Sequence, residues 1–325
     1  MAKPRRMSAE RESRKPWWIF TALVVFLVVD VLLVVLALQS TASRPSGSTV
    51  PLPSASLPAS VPEQSDTPAP TPDEESESSV TAVAPTRILA ALDGDVAWRA
   101  TTGGCPDATA APELTTDGGE SWKSTDITGT TDVRALQRIF VSSADTASFI
   151  GATGEDCTPE FVRTFVAGDD FAESSAQLDG TWFIPPTERE VVHSPGGDVA
   201  APCDEALVVS SLSAEQAAVL CDDSSVHVTT DTGSTWIPLD GTDGAVALTE
   251  GDGGFLIALA GTSACAGVQL VLADTEGTRT DVSCIESPLD GAELAATTAI
   301  DWNADSIWAW VDDRLLISTD GGNTW

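Results

Sequence analysis

The chain of 325 residues contains no tyrosine, although it holds ten tryptophans and nine phenylalanines. Chemistry that needs a phenolate nucleophile is therefore excluded. Cations are scarce as well: 16 Lys and Arg stand against 49 Asp and Glu, for a formal charge of −33. Six of them (Lys3, Arg5, Arg6, Arg11, Arg14, Lys15) precede residue 17, and from residue 86 onward 9 cations face 40 acids, a net −31. Phosphate recognition draws on clustered Lys and Arg, so no nucleic acid is expected as a partner. Only two histidines occur, His193 and His227, and neither has a His or Cys at metal-ligand spacing. No GxSxG elbow, phosphate loop or dinucleotide fingerprint is present.

What is there falls into four stretches. Residues 1–16 are basic. Residues 17–38 form an apolar run broken only by Asp30, which as a helix of about 33 Å is long enough to span a bilayer core. Trp17 and Trp18 open it where an interfacial aromatic belt belongs. The charge asymmetry puts the N-terminus in the cytoplasm and everything beyond outside. The run exceeds the apolar core of a cleavable signal peptide, which favours an uncleaved signal anchor, although Ser40-Thr41-Ala42 offers a small-x-small cleavage site. Asp30 either pairs with another membrane helix or is tolerated by its apolar neighbours. Residues 39–85 carry nine of the 20 prolines among Ser, Thr and Ala, and an acidic run at Asp73, Glu74, Glu75 and Glu77. That composition cannot bury enough apolar surface to fold, so a disordered, semi-extended stalk is expected.

The remaining residues 86–325 repeat themselves. TTDGGESW (115–122), TTDTGSTW (229–236) and STDGGNTW (318–325) align without gaps, and LDGTW ending at Trp182 is a shortened version. Asp117, Asp231 and Asp320 can fold onto nearby backbone N–H groups. Gly119, Gly233 and Gly322 can take positive φ, and Trp122, Trp236 and Trp325 supply an apolar plate to bury on the sheet. This pattern resembles the Asp-box, or bacterial neuraminidase repeat, found in sialidases, in photosystem II assembly factors of the Ycf48 type and in sortilin-like receptors. The resemblance implies a structural corner between the third and fourth strands of a β-propeller blade.

Strand-like runs alternate with Gly, Asp and Asn turns between these corners, so the expected fold is all-β. It is a β-propeller of five four-stranded blades, with six as the alternative, preceded by one transmembrane helix and the stalk. Residues 79–84 (SVTAVA) are read as a strand closing the last blade.

All six cysteines fall on the outer side of the anchor, where an even count suggests disulfides. The blade assignment suggests Cys203–Cys221 and Cys265–Cys284, leaving Cys105 with Cys157. Asp301, Asn303 and Asp305 alternate as in a D-x-N-x-D calcium loop, with Asp312 at the twelfth position but Ser306 where the turn glycine belongs. They are the candidate metal ligands, and calcium is the one candidate cofactor. Trp302, Trp308 and Trp310 suggest either a carbohydrate-stacking face or blade packing. The resemblance would also allow a sialidase, but the missing tyrosine removes its nucleophile. The expected function is a membrane-tethered extracytoplasmic propeller that binds a protein or glycan, or aids assembly, at a bacterial cell surface without catalysis. The alternative is an extracellular glycan-active hydrolase, for which no catalytic residue can be named.

Overall fold

The computed structural model describes residues 80–303 and 305–325. The expected basic segment, the anchor with Asp30 and the stalk as far as residue 79 lie outside the described residues. Among the described residues no helix is long and apolar enough to cross a membrane.

Five antiparallel sheets follow one another along the chain, each paired in sequence order. Blade one holds β1 (Arg87–Ala91), β2 (Ala97–Thr101), β3 (Glu113–Thr115) and β4 (Lys123–Ser124). After a single helical turn, α1 (Thr128–Thr131), blade two holds β5 (Val133–Val141), β6 (Ala147–Thr153), β7 (Thr158–Thr164) and β8 (Ala172–Glu173). A separate hairpin, β9 (Val191–Ser194) and β10 (Gly197–Ala200), precedes blade three. That blade holds β11 (Ala206–Ser211), β12 (Ala217–Cys221), β13 (Val226–Thr229) and β14 (Ile237–Pro238). Blade four holds β15 (Ala245–Gly251), β16 (Gly254–Ala260), β17 (Gly267–Ala273) and β18 (Arg279–Glu286). Helix α2 (Gly291–Thr297) leads into blade five, with β19 (Thr298–Asn303), β20 (Ser306–Val311) and β21 (Arg314–Ser318). The molecule is thus a five-bladed β-propeller, and blade five has three strands among the described residues.

Sheets that stack face to face must be apolar on both sides in the middle and polar at the rim. The sequence obeys this. GFLIALA of β16 is buried throughout, whereas RTDVSCIE of β18 is largely exposed. The fourth strands of blades one, two and three are two exposed residues each. Between blades one and two lie Trp98, Leu136, Phe149, Val162 and Phe171, with Trp98 edge-on to Phe149 at 5.3 Å. Leu220, Leu248, Phe255 and Ile257 fill the layer between blades three and four. Leu256, Leu270, Ile300 and Ile307 fill the next. Between blades two and three the long connection supplies its own filling: Trp182 and Ile184 pack with Val209 and Val219.

The expected closing strand from residues 79–84 does not form. Residues 80–85 have no regular structure. Ala82 is instead buried between blades three and four, and the Val80 carbonyl accepts the Ser224 hydroxyl at 3.0 Å. The small apolar side chains gain more by burial there than by lining an outer edge. The ring closes through contacts between β1 and β19. The Ala91 N–H donates to Asp301 at 2.9 Å, and Asn303 Nδ2 donates to the Ala91 carbonyl at 2.9 Å. Trp308 Nε1 donates to the Asp93 carbonyl at 2.8 Å. Outside these bonds, Arg99 lies between Trp122 (3.9 Å to the ring centroid) and Trp310 (4.9 Å), and Arg87 covers Trp310 at 4.5 Å. This ladder of cations and indole rings joins the first blade to the last.

Candidate functional site

Strand order divides the disc into two faces. In an antiparallel sheet read in sequence, the turns after the first and third strands share one face, and the connections after the second and fourth share the other. Each face is built for a different purpose.

The first face carries the corners. In blade one the Thr115 hydroxyl accepts the Gly119 N–H at 2.9 Å and donates to Asp117 at 2.8 Å. Asp117 also accepts the Ser121 N–H and hydroxyl at 2.9 and 2.5 Å. Thr229, Asp231, Gly233 and Thr235 repeat this scheme in blade three. Ser318, Asp320, Gly322 and Thr324 repeat it in blade five. These bonds hold the three carboxyls below the usual carboxylate range. The Ser121 hydroxyl is the largest influence on Asp117, and the Thr235 and Thr324 N–H groups are the largest on Asp231 and Asp320. Trp122 Nε1 turns back to the Gly119 carbonyl at 3.2 Å. Trp236 donates to Ala200 at 3.1 Å and Trp325 to Ser283 at 2.8 Å.

LDGTW is not the corner of blade two. Its residues end the 3₁₀ turn Ser175–Gly180, and Trp182 is buried between blades. The corner is Thr164–Phe171. The Thr164 hydroxyl accepts the Val166 and Gly168 N–H groups at 3.3 and 2.9 Å, with φ 79° at Gly168 against 82° at Gly119. Val166 replaces the aspartate and Phe171 the tryptophan, so a search keyed on those two residues passes over it. The corners share a further constraint. A Cβ on Gly168 would meet Trp98 of blade one at 2.9 Å, one on Gly119 would meet Leu315 of blade five at 2.7 Å, and one on Gly322 would meet Val282 of blade four at 2.8 Å. One on Gly233 would meet Val199 of the hairpin at 2.7 Å. Each corner is pressed against the element before it, which makes these glycines part of the packing between blades.

The opposite face carries the disulfides. All six cysteines pair, as Cys105–Cys157, Cys203–Cys221 and Cys265–Cys284. These are the pairs suggested by the blade assignment. Cys105–Cys157 joins the loops after the second strands of blades one and two. The other two pairs tie loops of the same face to Cys221 at the end of β12 and Cys284 near the end of β18.

A cavity of about 600 Å³ runs along the propeller axis between the innermost strands. Cys105, Cys157 and the segment Phe183–Arg189 line its mouth on the disulfide face. Arg138 of β5 lines the wall. A bulge at Gln137 interrupts the register of β5, and bulges re-aim side chains. Gln137 exchanges two hydrogen bonds with Ile184, at 2.7 and 2.9 Å. Arg138 donates to the Trp182 carbonyl at 2.8 Å and lies 4.6 Å over Phe140. Surrounding protein desolvates the guanidinium and lowers its pKa to about 10, despite the opposing pull of Glu250.

Across the channel stand Glu250 of β15 and Asp301 of β19. Desolvation raises both carboxyls, Asp301 to about 7. Glu250 is ringed by protein yet its side chain reaches the water of the channel, so its charge is screened more than that of buried Asp301. Both Asp301 oxygens are engaged, one by Ala91 N–H and the other by the Thr249 hydroxyl at 3.2 Å. Each oxygen keeps a second lone pair, but the residue is buried at 8% exposure.

Asp301 and Asn303 lie on β19 and are bonded to Ala91, while Asp305 is exposed in the following turn. Among the described residues no group of three or more His, Cys, Asp or Glu could hold a metal. The tryptophans do not form a carbohydrate platform either. Trp308 is fully buried, Trp310 lies in the ladder of blades one and five, and Trp302 packs between blades four and five. His227 is on β13. His193, on β9, bonds Asp198 at 2.6 Å and stacks on Phe183 at 4.5 Å.

No family model matches the chain, and no curated protein matches its sequence. Among solved structures, a GH74 enzyme of Niastella koreensis superposes with a TM-score of 0.41 at 13% identity, over 73% of this chain and 45% of that one. Ycf48 of Cyanidioschyzon merolae superposes with a TM-score of 0.26 at 16% identity, over 76% of this chain and 69% of that one. PorZ, a surface component of the type-IX secretion system of Porphyromonas gingivalis, superposes with a TM-score of 0.35 at 12% identity, over 73% of this chain and 37% of that one. The chain thus spans less than half the length of the GH74 enzyme and of PorZ.

Proposed function

We propose that this chain is a membrane-tethered extracytoplasmic β-propeller, with Asp-box corners, that acts as a non-catalytic binding or assembly module at a bacterial cell surface. Its ligand is taken at the mouth of the axial cavity. The observation that carries the reading is the placement of the three disulfides. All lie on the face where the cavity opens, and none on the face of the corners. Covalent ties preorganise the loops they join, and preorganised loops bind at lower entropic cost. Disulfides also belong to an oxidising compartment, which supports a domain outside the cytoplasm.

One observation favours the second reading, an extracellular glycan hydrolase: two carboxyls with raised pKa stand near one another in the channel. Such pairs serve as acid and base in glycoside hydrolysis. Against it, Asp301 is buried and each of its oxygens already accepts a hydrogen bond, from Ala91 and Thr249. Crosslinking the chain in native membranes tests the proposal. The expected result is one reproducible partner, lost when the Cys105–Cys157 loops are replaced. Release of reducing sugar from a glycan panel, abolished by Glu250→Gln, would overturn it in favour of the hydrolase.

A further inference from the structure

The axial channel holds charges of opposite sign that face each other without meeting. Arg138 projects from blade two and Glu250 from blade four, which are not adjacent in the ring. Each feels the other electrostatically, yet among the described residues they form no ion pair. Among the described residues Arg138 makes one hydrogen bond, to Trp182, out of the five N–H donors of a guanidinium. Its plane is fixed by Phe140 beneath and the Gln137 bulge beside it. Arg138 is half-buried and its open donors reach the water of the channel, where an anionic partner can complete them, and its planar fork suits a carboxylate. Glu250 makes no side-chain hydrogen bond among the described residues, so an ammonium would complete it in the same way.

We propose that the channel is a binding site for a small zwitterion, a free amino acid or short peptide, with its carboxylate on Arg138 and its ammonium on Glu250. This rests on the reading that the ligand of a binding module enters the axial cavity. The volume of about 600 Å³ lies within the range of small-molecule sites. Phe140, Phe183 and Leu248 are among the apolar residues that line the same cavity. Global charge narrows the ligand further. A purely anionic ligand is repelled by a domain carrying a net −31, and a purely cationic one brings its charge up against Arg138. A ligand of both signs is neutral overall and satisfies both walls.

The test is calorimetric titration of the full chain in detergent micelles. Free amino acids, dialanine and trialanine are compared with the same peptides N-acetylated or C-amidated. At least one free zwitterion should bind, and blocking either terminus should weaken it by about tenfold or more, the loss of one charge-assisted pair. Arg138→Gln should abolish the penalty of C-amidation and Glu250→Gln the penalty of N-acetylation, which a merely structural role would not do. Because Arg138 also holds Trp182, the Glu250 variant gives an arm that leaves that bond intact. Equal binding of free and blocked peptides, or no zwitterion bound at millimolar concentration, overturns the site. In the second case, crosslinked capture at the mouth loops would still leave the binding module standing. Conversely, a bound zwitterion recovered chemically altered would keep the site and sink the non-catalytic reading.

Discussion

Replacing Asp301 by Asn isolates the proton that this propeller holds at its seam. Asp301 joins three blades, accepting from Ala91 of blade one and Thr249 of blade four while standing on blade five. Burial raises its pKa from 3.8 to about 7, with charged Glu250 pushing the same way. The folded state therefore binds the proton more tightly than the unfolded chain. Its stabilisation is complete below the unfolded pKa and is lost as pH rises through about 7. A tenfold change in proton affinity is worth about 1.4 kcal/mol, so the fall between pH 5 and pH 8 amounts to about 3 kcal/mol. Asparagine keeps an acceptor for the Ala91 N–H and offers a donor to Thr249, imitating the protonated acid. Urea denaturation at both pH values measures the outcome. The variant should exceed the parent by about 2 kcal/mol at pH 5, where the unfolded carboxyl is already ionised, and by about 4 kcal/mol at pH 8. A variant less stable than the parent at pH 8, with the parent's slope unchanged, would falsify the reasoning, because the carboxyl would then be ionised and held by its two donors.

Other substitutions probe separate joints. Gly168→Ala sets a Cβ 2.5 Å from Thr125 Cγ2 at a positive φ and should cost about 1–3 kcal/mol in denaturant unfolding; an unchanged midpoint would remove the corner assigned to blade two. Trp310→Ala takes out the ring between Arg87 and Arg99 and should cost about 3 kcal/mol, while Ile237→Ala at the exposed rim should fall within about 0.5 kcal/mol of the parent. Replacing a disulfide by two serines should cost about 4 kcal/mol for Cys105–Cys157, which spans 52 residues, against about 3 kcal/mol for Cys203–Cys221, which spans 18. The reverse order would mean that the native loops, and not the unfolded chain, set the effect. Asp231→Ala, which removes the acceptor of Thr229 and Thr235, should lower the thermal midpoint. Since hydrogen bonds depress that carboxyl, its contribution in the parent should hold above the unfolded pKa and fade as acid protonates it.

The amino-acid order alone determined the blades, because their signals are local. Alternating apolar strands, turn residues and three aspartate-glycine-tryptophan corners each complete most of their hydrogen bonds within a few residues. The cysteine pairs were also legible, since each joins loops that the blade register brings to one face. The corner at Thr164–Phe171 was hidden because its backbone geometry needs Thr164 and Gly168 but not the aspartate that marks the others. The axial site belongs to tertiary structure. Arg138, Glu250 and Asp301 are separated by 112 and 51 positions in the chain, and each looked like one charge among many. Only closure of the ring set them around a common channel, burying Asp301 while Arg138 and Glu250 still reach its water. The same closure made Asp301 and Asn303 partners of Ala91, a contact between the first and last blades that no local pattern announces.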